Sequence, residues 1–185
     1  NTLTFANQIA VLDDHSSDDS IKICQEYEPR VAVKTARNTW FEGVGLLRFE
    51  LFNFALTLSP DWVITVDADT MYEETMRREV LKIMYQDKHQ WAGFRVYHMW
   101  GSEEVYRNDA YVDCTVYHPR MFKVKGKYDY SWHMKKNHPQ CVPLDMQKKP
   151  GYKAETIIKH LGYMTSQDRQ KKYERRLKED PRFQY

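Results

Sequence analysis

The chain has 185 residues, of which 42% are hydrophobic and 29% charged, and its formal net charge is +2. This composition is that of an ordinary globular protein of one domain, which excludes disordered and fibrous classes. The small net charge gives no basic field for nucleic acid, and no apolar run approaches the roughly 20 residues of a membrane span. Three cysteines without zinc spacing fit a reducing compartment. We therefore expect a cytoplasmic protein, with a location at the membrane periphery left open.

The first predicted elements form a β-α-β unit. Residues 8–12 are an apolar run closed by the acidic segment 13–19, which predicts a buried strand that ends in a polar loop. Asp18 or Asp19 can begin a short helix, and residues 31–33 predict a second strand.

The same alternation continues to a second acidic segment. Apolar side chains recur at helical spacing over residues 44–58, and this helix should end before Pro60. Residues 62–66 predict a third buried strand, and Asp67 and Asp69 follow it. Strands that alternate with helices predict an α/β fold with a mostly parallel sheet flanked by helices. Ligands of such sheets bind beyond the carboxyl ends of the strands, so we expect both acidic segments to meet in one crevice.

The second half of the chain is less regular. A helix is predicted over residues 73–84, and residues 90–124 predict a strand-rich, irregular region with breaks at Gly101 and Pro119. A binding site for the acceptor of a transferred group could be built in that region. A last helix over residues 166–178 is charged nearly all round, and we expect its basic run to be a solvated face.

Asp67 and Asp69 lie two residues apart just past a strand, where both can reach one ligand. Such oxygen ligands suit Mg²⁺ or Mn²⁺, and Mg²⁺ is commonly held by one or two carboxylates together with substrate phosphate oxygens. The D-x-D pattern alone is weak evidence, because acidic loops also serve solubility. Phosphatases with an aspartyl nucleophile share it, although Met71 departs from their pattern. A nucleotidyltransferase and a non-catalytic sugar-binding module are further alternatives.

The acidic segment 12–18 resembles the strand-end D-D-G-S-T-D segment of inverting family-two glycosyltransferases, which have the Rossmann-like GT-A fold. In that family a helix with an arginine follows, and then a strand that ends in D-x-D. Arg48 and residues 67–69 match these features in order. Three later stretches are similar to small bacterial and phage members: residues 106–109, 118–122 and 158–163. The resemblance thus covers most of residues 1–180.

The resemblance implies a metal-dependent hexosyltransferase. It would move a sugar from a nucleotide diphosphate sugar, with a UDP-sugar as the first choice, to a hydroxyl of a glycan, a lipid-linked acceptor or a protein. Five residues would bind the nucleotide sugar: Asp13, Asp14, Arg48, Asp67 and Ala68. Mn²⁺ or Mg²⁺ would be held by Asp69 and His160, since imidazole beside carboxylate suits Mn²⁺. The alternatives are an exposed helix arginine for Arg48 and a surface histidine for His160.

An inverting transfer also needs a general base for the acceptor hydroxyl. We expect it in the irregular region, with Asp109 as the first choice and Asp113 and Asp129 as rivals. An ion pair of Asp109 with Arg107 or Arg120 is the alternative role for that carboxylate.

Two departures from the family pattern stand out. The usual glycine after the double aspartate is His15 here, which puts the preference for a particular nucleotide base in doubt. The family also begins with a strand and helix ahead of the first acidic segment, so we expect a missing first strand and roughly 25–35 further residues before Asn1. Residues 1–164 would form the catalytic domain, and residues 165–185 a charged helix packed on it.

Overall fold

The computed structural model of the protein describes residues 2–37, 43–86, 88–109, 112–124 and 141–179. The strands of these ranges are β1 (Ile9–Asp13), β2 (Val31–Thr35), β3 (Trp62–Ile64), β4 (Thr70–Tyr72), β5 (Trp91–His98), β6 (Tyr117–Lys123) and β7 (Tyr152–His160). The helices are α1 (Ser20–Gln25), α2 (Val44–Leu56), α3 (Met76–Gln86), α4 (Leu144–Gln147) and α5 (Ser166–Glu179). Within the described ranges, no helix has the length and apolar character needed to span a membrane.

The strands form a mixed arrangement, so the expectation of a mostly parallel sheet is wrong. β1 and β2 pair in parallel as a two-stranded sheet, and the other five strands follow the order β3-β6-β5-β7-β4. In the larger sheet only β5 and β7 are parallel, while the other three pairings are antiparallel. The connection from β5 to β6 accounts for one of these pairs, since no helix of the described residues lies between these two strands. Without a crossover, neighbouring strands need not be parallel.

Helix α2 joins the two sheets. It packs on β1. Its Glu50 carboxylate accepts from Lys34 Nζ in β2 at 3.1 Å and from the backbone N–H of Arg37, just beyond β2, at 2.9 Å. Two residues earlier, Arg48 points to the turn that follows β3. The helix therefore contacts the β1–β2 pair and, through Arg48, the turn that follows β3.

The main core lies between α3 and the five-stranded sheet. Met76, Val80 and Ile83 recur at helical spacing and are buried, as predicted from the sequence. They pack against Phe94 of β5 and Ile158 of β7. Burial of each such side chain stabilises the folded state by about 1.5–3 kcal/mol. The helix begins three residues later than predicted.

Strand β6 contains a β-bulge. Ala92 of β5 pairs with Met121, whereas the next residue, Gly93, pairs with Pro119. Arg120 is thus the extra residue, and a bulge redirects the side chain it carries. Pro119 lies inside the strand rather than at a break, because a bulge tolerates a residue without an N–H.

Candidate functional site

The D-x-D segment forms a tight turn between β3 and β4. The backbone N–H and the hydroxyl of Thr70 both donate to the Asp67 carbonyl, at 3.1 and 2.7 Å. Thr70 pairs with His160 at the end of β7, and Leu161 N–H donates to the Asp69 carbonyl at 2.7 Å. The sheet therefore brings His160, distant in sequence, beside the second carboxylate.

The first carboxylate of the turn is held by two arginines. Arg48 Nη2 donates to Asp67 Oδ1 at 3.0 Å, and Arg120 Nη1 donates to Asp67 Oδ2 at 2.8 Å. Both guanidinium groups also donate to Cys141 Sγ, at 3.2 and 3.4 Å. Burial opposes ionisation of Asp67, but the two arginines outweigh it and hold the pKa of this carboxyl below its usual value. We call these four residues the Asp67 cluster.

The second carboxylate faces different partners. Asp69 Oδ2 lies 3.3 Å from His160 Nε2 and 3.0 Å from Lys172 Nζ on α5. Burial lowers the pKa of His160, and the positive charge of Lys172 adds to this effect against the opposing influence of Asp69. The imidazole is therefore neutral near pH 7 and has a lone pair to offer. We call these three residues the Asp69 cluster.

The Asp69 cluster fits a divalent cation under one condition. Asp69 Oδ2 and His160 Nε2 converge as two ligands of the kind that Mn²⁺ accepts, and substrate phosphate oxygens commonly complete such a shell. Across the described ranges, no three His, Cys, Asp or Glu side chains gather into a group that could hold a metal. The condition is that the Lys172 ammonium leaves the oxygen it now contacts.

The double aspartate of the first acidic segment has one buried and one exposed carboxylate. Asp13 is 7% exposed, and its Oδ2 accepts from the Ser16 backbone N–H at 3.0 Å, whereas Asp14 is exposed. His15 has a φ of 58°, in the left-handed region that glycine adopts without strain. Ala68, in the second segment, is also exposed. Asp14 and Ala68 thus present accessible groups at the ends of β1 and β3.

The irregular region approaches the Asp69 cluster through His98. Arg107 N–H donates to the His98 carbonyl at 2.8 Å, and the His98 ring lies 4.7 Å from that of His160. Arg107 Nε forms an ion pair with the Asp109 carboxylate, which is the alternative role considered for this residue. The rival Asp113 accepts from the Thr115 N–H and hydroxyl, and these hydrogen bonds lower its pKa. Asp129 lies outside the described residues.

The last helix takes part in the site, so the expectation that its basic run is only a solvated face is wrong. Arg169 donates to the carbonyls of Tyr163 and Met164, both at 2.9 Å, and lies 4.5 Å from the Trp100 ring centre. Tyr163 stacks on His160 with ring centres 5.5 Å apart. Arg169 and Lys172, one turn apart, thus anchor α5 to the Asp69 cluster.

Sequence reasoning missed two of the site's cations, Arg120 and Lys172. Arg120 reaches Asp67 from a β-bulge, and a bulge leaves no clear pattern in the sequence. Lys172 stands among several similar residues of a charged helix, so nothing in its neighbourhood distinguishes it.

The geometry defines an α/β protein in which an acidic turn between the two edge strands of the larger sheet gathers arginines, a histidine and a lysine around two carboxylates. Residues 5–148 match glycosyl transferase family 2. The match covers most of the chain, which therefore belongs to this family. It includes Arg48 and Arg120 but ends before β7 and α5, which supply His160 and Lys172. Comparison with curated proteins gives no match.

Proposed function

We propose that this chain transfers a sugar, with inversion at the anomeric carbon, from a nucleotide diphosphate sugar to an acceptor hydroxyl. Family membership supports glycosyl transfer in general. The observation that carries the finer proposal is the Asp69–His160 pair, 3.3 Å apart, directly after the arginine-bound Asp67. Residues 1–164 would act as the catalytic domain with the helix 165–185 packed on it.

The donor would lie across the two acidic segments. Asp13 and Asp14 would contact base and ribose, together with Asp67 and the exposed backbone at Ala68. Arg48, already bound to Asp67, would set the position of that carboxylate. A UDP-sugar is our first candidate donor.

Asp69 and His160 would hold Mn²⁺ or Mg²⁺, and the bound cation would neutralise charge on the diphosphate. In the transfer, the acceptor oxygen forms a bond to the anomeric carbon while the bond from that carbon to the diphosphate breaks. The electron pair leaves with the diphosphate, and the hydroxyl proton passes to a carboxylate, for which we propose Asp109. Arg107 would have to release Asp109 or turn with it when the acceptor binds. The acceptor would be a glycan, a lipid-linked saccharide or a protein hydroxyl.

The donor part is tested by calorimetric titration of UDP into the chain with Mn²⁺ and with a chelator. We expect binding that needs the cation and that Asp69→Asn removes. Equal affinity of wild type and Asp69→Asn in both conditions would exclude the metal site. Titration of other nucleoside diphosphates then establishes which nucleobase the site prefers.

The general base is tested by Asp109→Asn, with Asp113→Asn as the matched control in the same region. We expect Asp109→Asn to lower turnover by about 10²–10⁴-fold while UDP affinity stays nearly unchanged. A large loss in Asp113→Asn instead would move the role to that residue. The configuration of the product, read by NMR, tests inversion.

A further inference from the structure

Lys172 occupies an unusual place for a lysine of a charged helix. Its side chain is 22% exposed, its ammonium lies 3.0 Å from Asp69 Oδ2, and it stands 4.5 Å from the centre of the Tyr163 ring. Lys171, the preceding residue on α5, is exposed. The helix therefore directs one of two adjacent lysines into the site and the other to solvent.

Gly162 makes room for this contact. A Cβ at Gly162 would lie 2.0 Å from Lys172 Nζ, 2.3 Å from Asp69 Oδ2 and 2.8 Å from His160 Cε1. Real Cβ atoms do not approach other atoms so closely, so any larger residue would displace the three groups. The backbone between β7 and α5 is thus shaped to let the ammonium reach the carboxylate.

The ammonium also sits at the oxygen that a divalent cation would need. A divalent cation held by Asp69 would repel the Lys172 ammonium and would replace it as the partner of the carboxylate. A lysine ammonium is a compact charge on a flexible stem, so it can move to a nearby anion without movement of the helix. With a nucleotide diphosphate bound at Asp69, its phosphate oxygens would offer the Lys172 ammonium a new anionic partner.

We propose that Lys172 is a donor-binding residue that passes from Asp69, in the free chain, to the sugar-proximal phosphate of the nucleotide diphosphate. This inference rests on the proposed function. A purely structural role, in which Lys172 only fastens α5 to the domain, is the competing explanation. It predicts equal effects on every ligand, whereas phosphate recognition predicts an effect that requires the second phosphate.

The test compares UDP and UMP by calorimetric titration with saturating Mn²⁺, using the whole chain. Lys172→Met should weaken UDP binding by about 10- to 100-fold, the loss expected for one charged hydrogen bond. UMP binding should change less than about threefold, since a monophosphate lacks the phosphate concerned. Lys171→Met should bind both ligands as wild type does, and Lys172→Arg should retain most of the UDP affinity.

A titration of Mn²⁺ alone is the second measurement. Lys172→Met should bind Mn²⁺ several-fold more tightly than wild type or Lys171→Met, because no ammonium competes for Asp69 Oδ2. Equal losses for UDP and UMP, or unchanged UDP affinity in Lys172→Met, would overturn the role of Lys172 while leaving the proposed function standing. A wild-type chain that binds none of UDP, GDP, ADP, CDP and dTDP would overturn both.

Discussion

Asp67 and Asp69 are the same residue type two positions apart, yet the structure gives them opposite surroundings. Asp67 accepts from two guanidinium groups on separate elements, and its side chain is 31% exposed. Asp69 is 40% exposed and faces a neutral imidazole and one flexible ammonium. The first carboxylate is therefore held by two arginines, whereas the cationic partner of the second is a single flexible lysine.

Because of this difference, we expect the two carboxylates of one motif to contribute differently to stability and to ligand binding. Arginine is planar and always charged, and its several donors suit a permanent pair. Lysine offers one mobile charge, and neutral histidine offers a lone pair that a cation can use. Substitutions at Asp67 should therefore lower stability in addition to their effect on donor binding, while substitutions at Asp69 should act mainly on ligand binding.

The sharpest comparison is Asp67→Asn against Asp69→Asn. We expect Asp67→Asn to lower the free energy of unfolding by about 2–3 kcal/mol, because two largely buried arginines lose their shared charge. Asp69→Asn should cost about 1 kcal/mol or less, since its pair with Lys172 is partly exposed. Urea unfolding at pH 7 measures both. Equal losses would show that the two carboxylates do not differ in the way described.

The Asp67 cluster can be divided further by removing one arginine at a time. Arg120 is 13% exposed and Arg48 is 22% exposed, so Arg120→Met should be the more costly, at about 2 kcal/mol against about 1 kcal/mol. Arg78→Met, at an exposed position of α3, serves as control and should stay within about 0.5 kcal/mol. The reverse order for Arg48 and Arg120 would contradict the ranking by burial.

Gly162→Ala probes the room within the Asp69 cluster. The new methyl group would collide with Lys172 and Asp69, and we expect a loss of about 1 kcal/mol, at the low end for overpacking because the ammonium can move. In a Lys172→Ala background the same change should cost distinctly less. Additive losses in the double variant would mean that the strain lies elsewhere.

The smallest effect is expected at Cys141, which accepts from both arginines through a weak acceptor atom. Cys141→Ala should cost about 0.5 kcal/mol, because both arginines keep their ion pairs with Asp67. Cys141→Ser, which keeps an acceptor, is the matched variant and should be nearer to wild type. Thermal unfolding of the two variants side by side checks this.

The elements in the first half of the fold were predictable, because short stretches of sequence determine them. Apolar runs closed by aspartates at 13 and 67 predicted β1 and β3, and the helical spacing over 44–58 predicted α2, which ends at Leu56. The mixed sheet was not predictable in this way. Which strands pair depends on connections such as the short turn from β3 to β4, and those pairings join residues as distant as Thr70 and His160.

The candidate site divides similarly. The acidic segments and Arg48 were identified from sequence, and the structure joins Arg48 to Asp67. Their assignment to donor and cation stays a prediction, as does that of Asp109. Arg120 and Lys172 were missed because no local pattern marks a bulged residue or the inward side of a helix that is charged nearly all round.

The bulge in β6 makes the length of that strand a functional constraint. Met121 and Phe122 are buried on the C-terminal side of Arg120, and β6 pairs with both β3 and β5. Deleting Arg120 itself would keep the pairing of its neighbours with β5, but it would abolish the ion pair with Asp67. Deleting or inserting any other residue of β6 would shift every preceding side chain to the opposite face of the sheet. A change in the length of this strand should therefore be far less tolerated than a substitution.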